Sequence, residues 1–563
     1  MEKTAPGSPG IAPRWTTSAK QGIGTALSPA SRVWFTVSHG IFNEIYYPRV
    51  DQACIRDMGM LVTAGDGFFS EEKRNTFHKV SLIAPGVPGY RLENLCEQGR
   101  YRIEKEIVSD PGREVVLQHT RFVPLSGTLE DFQLYVLLAP HIANRGWGNT
   151  GWVGDYKGTP MLFAERDGVC IALACSAPWV RRSAGYVGVS DGWQDIAGNK
   201  RMSWTWERAE DGNIALTGEI GMGARGGELV LSLGFGKTPA EAGNRARTSL
   251  FEDFSAVKAR YIGEWQQWQD TLLDLDPRPP AGNAHTLYRT STAVIKAHED
   301  KSFPGGLIAS LSMPWGSSKS DDDLGGYHLI WARDLVETAG GLLAAGARGM
   351  ALEVLRYLAS TQESDGHWAQ NMWLDGTPYW PGVQMDETAL PILLADLAKR
   401  EGALDAQPPS WLWRMVRSAA GYIVGNGPVT AQDRWEEDPG YSPFTLAVEI
   451  AALVAAADIA ESNAEPDAAA YLRETADAWN ESLERWTYVS GTELAQECAV
   501  AGYYVRISPP EVSDAASPSE GFVAIKNRPP GQGEEKASRI VSPDALALVR
   551  FGLRAADDPR IVD

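Results

Sequence analysis

The hydrophobic periodicity of this 563-residue chain changes near Thr238, from alternation to helical spacing, and that switch constrains the fold more than any other feature. Phe132, Leu134, Val136 and Leu138 alternate with Asp131, Gln133, Tyr135 and Leu137, and Leu229, Leu231, Leu233 and Phe235 repeat the pattern. Such runs recur between Val33 and Lys237, broken by turn pairs such as Pro111-Gly112, Ser126-Gly127 and Asp211-Gly212. Many short half-buried strands with this punctuation predict an antiparallel β-sandwich over 1–237. Thr238-Pro239-Ala240-Glu241 then reads as a helix N-cap with proline at the first helical position. It opens a helical linker, 238–284, that ends in Asp276-Pro277-Arg278-Pro279-Pro280-Ala281-Gly282. Beyond it, helices are expected at 285–299, 333–345, 347–361, 386–400, 410–424, 443–461, 467–486 and 542–556. Alternate connections are long and rich in glycine, proline and aromatics. Helix hairpins with long loops on one side describe an (α/α) barrel, 285–563, whose loops collect at one mouth.

With 44% hydrophobic residues the chain can bury a large core in more than one domain. A formal net charge of −20 offers no basic stripe for phosphates, so neither nucleic acid nor an anionic membrane is expected as a partner. Neutral glucans are indifferent to that charge. The five cysteines (Cys54, Cys96, Cys170, Cys175 and Cys498) are scattered and odd in number, which argues against a zinc site or disulfide scaffold. No cofactor is expected, with a structural calcium left open. Met1-Glu2-Lys3-Thr4-Ala5-Pro6-Gly7 has no apolar signal core and no long uncharged apolar stretch suits a membrane span. The location expected is cytoplasmic, although a removed signal peptide would leave the same sequence.

Three motifs carry chemistry. Asp433-Arg434-Trp435-Glu436-Glu437-Asp438-Pro439-Gly440-Tyr441-Ser442-Pro443 sets a carboxylate pair directly after a tryptophan. Sugar-cleaving sites need an aromatic plate for a pyranose face beside a carboxyl that apolar surroundings turn into a proton donor. The plain alternative is a solvated Glu-Glu at a helix entrance, where negative charge suits the helix dipole. Gly325-Gly326-Tyr327-His328-Leu329-Ile330-Trp331-Ala332-Arg333-Asp334 places an Arg/Asp pair beside a tryptophan. Such a pair can bind several hydroxyls of one sugar, unless Asp334 merely caps its own helix and Trp331 is core. His328 suits loop support better than catalysis. The third motif, Gly366-His367-Trp368-Ala369-Gln370-Asn371-Met372-Trp373, is followed by Asp375-Gly376-Thr377-Pro378-Tyr379-Trp380 and Gln384-Met385-Asp386-Glu387. Aromatics interleaved with amides and carboxylates make a sugar-binding composition, or a tryptophan-rich loop packed over a barrel end with Asp386 opening a helix.

Together the motifs resemble glycoside hydrolase family 15, the glucoamylase and glucodextranase family, in its bacterial form. Pro9-Gly10, Gly22-Ile23-Gly24-Thr25, Glu44-Ile45-Tyr46-Tyr47-Pro48, Ala309-Ser310-Leu311-Ser312-Met313-Pro314-Trp315-Gly316 and Tyr503-Tyr504-Val505-Arg506 extend the likeness over nearly the whole chain. The resemblance implies a sandwich joined through a helical linker to an (α/α)6 barrel, and release of glucose from non-reducing ends of α-glucans with inversion. It further implies that Glu436 is the general acid and Glu437 a neighbouring sugar-binding carboxylate. Arg333 and Asp334 would grip the terminal glucose, and Tyr327 would lie near the attacking water. Trp380 would support the acid's surroundings beside Trp331 and Trp435, with Gln384 and Asp386 at the family's spacing. One departure stands out. The general base expected late in the family, in a His-Ala-Glu-like motif, is not found, and about eight barrel helices are counted where the family has twelve. The barrel is therefore expected to be incomplete, with the base on a missing segment or a second polypeptide. Glycoside phosphorolysis, which needs only one protein carboxylic acid, and a non-catalytic glucan-binding remnant remain the alternatives.

Overall fold

The computed structural model describes residues 3–276, 287–314, 320–322, 326–404, 409–509, 518–526, 528–529 and 531–562. Pro277–Gly282 of the linker, Trp315, Gly316 and Gly325 of the motifs, the first two residues of the helix expected from 285, and Asp563 lie outside them. The chain divides into two compact units, Met1–Ser302 with Ile308–Leu329, and Phe303–Leu307 with Ile330–Asp563.

The first unit is a pair of antiparallel sheets. One is ordered β1 (Gly22–Thr25), β2 (Trp34–Ser38), β3 (Ile41–Tyr46), β4 (Ala53–Ala64), β10 (Phe132–Pro140), β16 (Ile214–Ile220) and β14 (Trp179–Tyr186), with β5 (Phe69–Glu71) beside β4. The other is ordered β15 (Arg208–Gly212), β11 (Asn149–Tyr156), β12 (Thr159–Arg166), β13 (Val169–Cys175), β17 (Glu228–Gly236), β9 (Val115–Pro124), β8 (Tyr101–Ser109), β7 (Val87–Cys96) and β6 (Thr76–Ala84). Alternation decides which residues meet. Phe132, Leu134, Val136 and Leu138 of one sheet share a core with Leu229, Leu231, Leu233 and Phe235 of the other. This is the sandwich that the period-two runs predict.

On the outer face of β10, Tyr135 and Leu137 pack with Ile196 and Met202 beside the short helix α1 (Gly192–Asn199). The segment read as a linker forms α2 (Pro239–Phe251) and α3 (Phe254–Gln269). Thr238 caps α2 by accepting from Glu241 N at 3.2 Å, with Pro239 in the first turn. Ala242 and Ala246 of α2 pack on Phe163, Ala172 and Ala174. That approach is close enough to require Gly234, where a Cβ would stand 2.4 Å from Ala242 O. α4 (Leu287–Ala297) follows in the same unit.

The second unit is built from helix pairs: α5 (Ala332–Ala344) with α6 (Arg348–Thr361), α7 (Met385–Arg400) with α8 (Ser410–Asn426), and α9 (Pro443–Ser462) with α10 (Pro466–Thr487). α7 packs against both α5 and α9, so these three form the inner layer and their partners the outer one. Pattern follows position. α10 is amphipathic, whereas α9 is apolar on every side and buried along most of its length. By length and composition α9 is also, among the described residues, the one helix able to cross a membrane; 83% of its most apolar window is buried in the protein. The helix expected over 542–556 is a correction: it reduces to two short turns, Pro543–Leu546 and Ala547–Arg550. Gly552 then takes a left-handed φ of 77°, which ends helical propagation.

Candidate active site

All three motifs contribute to one polar cluster in the second unit, around the N-termini of the inner helices. Arg333 lies in the first turn of α5 and points into the unit. Its Nη1 donates to Gln384 Oε1 at 2.8 Å and Asp386 Oδ2 at 2.7 Å, and its Nη2 pairs with Glu387 Oε1 at 3.1 Å. Both carboxylates belong to the first turn of α7 and are fully buried. Burial alone would push the Arg333 guanidinium down, but the charges of Asp386 and Glu387 outweigh it and hold the group above its ordinary range. Burial pushes Glu387 well above the usual carboxylate range, against the opposing pull of Arg333. Glu387 also accepts Ala332 N at 2.9 Å, which anchors the start of α5 to the start of α7.

This arrangement separates the two members of the Arg333/Asp334 pair. The guanidinium fork is already taken by internal partners. Asp334 is exposed by surface area although burial still raises its carboxyl, among the described residues its carboxylate forms no hydrogen bond to another side chain, and it does not cap α5. Asp334 is thus the member left open to an incoming hydroxyl.

Trp331 precedes α5 and is 6% exposed. Its indole Nε1 donates to Glu436 Oε1 at 3.2 Å, which brings the second motif to the first. Glu436 is half-buried and adopts φ 64°, the left-handed region that a non-glycine residue enters at a cost of about 1–3 kcal/mol. The surrounding loop over-determines that conformation. Glu436 N donates to Asp433 O at 2.9 Å, Glu437 N to Asp433 Oδ1 at 2.9 Å, and Lys526 Nζ to the Glu436 carbonyl. Thr430 and Gly440 exchange backbone hydrogen bonds of 3.1 and 3.0 Å across the loop base. Gly440 sits where a Cβ would meet Ser508 O at 2.4 Å, so the turn residue of the motif is sterically required.

Beneath the loop, Arg506 gathers three carboxylates: Asp433 at 3.0 Å, Glu437 at 2.8 Å and Asp438 at 2.5 Å. Glu437 is engaged through Oε2. Burial raises the Asp433 carboxyl, opposed by the Glu437 amide and by Arg506.

The aromatic plates lie outward. Trp435 is 54% exposed with its Nε1 donating to Asp544 Oδ2 at 2.7 Å, and Trp380 is 45% exposed. Trp380 belongs to β19 (Pro378–Trp380), paired with β18 (Asn371–Met372), and its amide donates to Asn371 Oδ1 at 3.0 Å. Gln384 is buried, and its Nε2 donates to Gln432 Oε1 at 3.4 Å. Tyr327 and His328 belong to the first unit. Tyr327 is 50% exposed, while His328 is fully buried against Tyr46, with Nε2 3.3 Å from the phenol oxygen, in keeping with loop support. Among the described residues no group of three or more His, Cys, Asp or Glu side chains is placed to hold a metal ion.

Sequence reasoning did not single out Arg506 as a site residue, nor Asp433, Gln432 or Lys526. Arg506, Gln432 and Lys526 act through contacts made only by the fold, whereas Asp433 heads the Glu436 motif and bonds the amides two to four residues on.

Comparisons with known proteins place the chain in a family. A family profile described as the N domain of glucodextranase matches residues 5–270, and one described as glycosyl hydrolases family 15 matches residues 282–558. A glucoamylase from Clostridium sp. (strain G0005) is 37% identical over 556 residues, covering 99% of this chain and 75% of its own. The crystal structure of a bacterial glucoamylase complexed with acarbose superposes with a TM-score of 0.91 at 38% identity, over 100% of this chain and 79% of that one. The sandwich followed by an (α/α)6-type helical unit is the fold of that glucoamylase, and the helical unit carries the Trp331–Glu436 pair. The chain belongs to glycoside hydrolase family 15 and is a glycoside hydrolase.

Proposed function

We propose that this hydrolase is exo-acting and releases glucose, with inversion, from non-reducing ends of α-glucans or of malto- and isomalto-oligosaccharides. The observation that carries the reading is the hydrogen bond from Trp331 to Glu436, with the open carboxylate of Asp334 three residues from that tryptophan. Glu436 gives its proton to the glycosidic oxygen as the bond to the anomeric carbon breaks. Trp331 holds the carboxyl in place and, when the proton has left, still donates to the resulting carboxylate. Asp334 accepts from hydroxyls of the terminal glucose, and Arg333, locked by Gln384, Asp386 and Glu387, fixes the helix end that presents it. Glu437, restrained by Arg506, binds the sugar near the cleavage point. Trp435 and Trp380 offer faces for stacking. The likeness to glucoamylases supports this substrate class.

Inversion needs a second carboxylate to take a proton from that water, about 6.5–9.5 Å from the acid. The carboxylates around Glu436 are engaged by Arg333 and Arg506, and Asp334 is committed to hydroxyls. The base is therefore none of these carboxylates. The test is proton NMR of maltotriose hydrolysis by the full-length protein. β-Glucose as the first-formed anomer, with maltose as co-product, is expected. α-Glucose first, or glucose 1-phosphate appearing only with phosphate, would contradict the proposal.

A further inference from the structure

The first unit contains a pocket of about 340 Å³ that the hydrolytic reading does not use. Its floor is the outer face of the sheet, formed by Leu61 of β4, Leu137 and Ala139 of β10 and Ala215 of β16, and Trp193 of α1 forms one wall. The volume falls in the range of about 300–1,000 Å³ usual for small-molecule sites, which are likewise mostly apolar with a few placed polar groups.

Charge in the lining is asymmetric. The lining contains Arg14, Arg56, Lys73 and Arg74 against Asp57, Glu71 and Asp191. Each carboxylate is already used inside the protein. Asp191 caps α1 through Trp193 N at 2.8 Å and Gln194 N at 3.2 Å. Glu71 accepts Trp193 Nε1 at 2.8 Å, and buried Asp57 pairs with Arg56 at 3.1 Å and Lys73 at 3.5 Å. The cations are less satisfied. Arg56 Nε is buried without a hydrogen-bond partner in the protein. Arg74 has a 3.5 Å contact with Glu71 and lies 6.0 Å over the Trp193 ring, while its side chain is 68% exposed. Arg14 is exposed and, among the described residues, forms no hydrogen bond or ion pair. A lining with four cations against three internally engaged carboxylates, over an apolar floor and in a chain whose net charge is −20, is complementary to one kind of ligand.

We propose that this pocket binds a small amphipathic anion: a carboxylate, sulfonate or phosphate headgroup on an aromatic or short alkyl body. The headgroup meets Arg14 and Arg74, and the body lies on Leu61, Leu137 and Ala139 beside Trp193. None of these residues belongs to the Glu436 cluster.

The test is fluorescence titration of the full-length protein with 1-anilinonaphthalene-8-sulfonate and with its neutral counterpart N-phenyl-1-naphthylamine. These are compared in the wild type and in the Arg14→Glu/Arg74→Glu double variant. The wild type should bind the sulfonate saturably at one site. Because both substitutions are at exposed side chains, the variant should keep its melting temperature and its glucan hydrolysis. It should lose about tenfold or more in sulfonate affinity, equivalent to about 1.4 kcal/mol, with the neutral probe unaffected. Unchanged sulfonate affinity in the variant, equal weakening of both probes, or no saturable binding to the wild type would overturn the proposal.

Discussion

Trp331 and Glu436, 105 residues apart in sequence, are joined by a 3.2 Å hydrogen bond from indole nitrogen to carboxyl oxygen. The contact links the loop that opens α5 to the loop that opens α9, so the side chain proposed as proton donor is held by a group at the start of a different inner helix. The donor also sits on strained backbone, and strain of this kind survives only where the surroundings over-determine it. Here those surroundings are Asp433, Arg506 and Lys526.

Trp331→Phe keeps the ring and removes the donor. A hydrogen bond of this kind contributes about 1 kcal/mol, so kcat is expected to fall about fivefold or somewhat more, with little change in KM or melting temperature. Steady-state kinetics on maltose checks this. An unchanged kcat would show that the indole does not orient the acid.

Asp334→Asn removes the negative charge and replaces one acceptor oxygen by a donor amide, without disturbing the Arg333 cluster. Hydrogen bonds to charged groups contribute about 1.5–3 kcal/mol, so kcat/KM should fall between about tenfold and 150-fold. The far-ultraviolet spectrum and melting curve should match the wild type. Loss of stability instead of kcat/KM would make Asp334 structural.

Arg506→Met leaves Asp433, Glu437 and Asp438 clustered without their cation. Removing one side of a buried ion-pair network costs about 3–5 kcal/mol, and a clear drop in melting temperature is expected. Arg506→Lys should recover only part of it, since a single ammonium cannot serve three carboxylates in the geometry of the fork. Wild-type stability in the methionine variant would contradict this reading.

Glu449 on α9 is fully buried, with neither carboxyl oxygen hydrogen-bonded in the protein, and burial pushes it well above the ordinary carboxylate range, reinforced by the charge of Asp386. In the pH range between the unfolded and folded titrations the native state holds the extra proton. Stability from this group is therefore full below about pH 4 and declines as pH rises, by up to about 1.4 kcal/mol per pH unit, until the folded carboxyl ionises. Glu449→Gln should flatten that decline and gain stability relative to wild type between pH 5 and 8. Denaturant melts at the two pH values check it, and parallel pH slopes would refute it.

Much of this architecture was legible because apolar spacing is enforced by burial. Phe132, Leu134, Val136 and Leu138 had to face one core, and the apolar run after Ser442 had to be an inner helix. The failures have equally physical reasons. Helical spacing over 542–556 was real, but Gly552 and the turns around it cut the helix short. The motifs name Glu436, Trp331, Arg333 and Asp334, but the pairing of Arg333 with Asp386 and Glu387, more than fifty residues further on, is made only by the fold. Arg506 lies 69 residues beyond Glu437, and no local pattern can announce a contact of that separation.

The account stands or falls on Glu436 as proton donor, and the most direct measurement is kcat of Glu436→Gln in the full-length protein with maltose and isomaltose. A positioned general acid contributes roughly 10²–10⁴-fold, so turnover should fall by that factor while the isosteric amide, still able to accept from Trp331, preserves fold and substrate binding. Near-wild-type turnover by this variant would contradict the assignment.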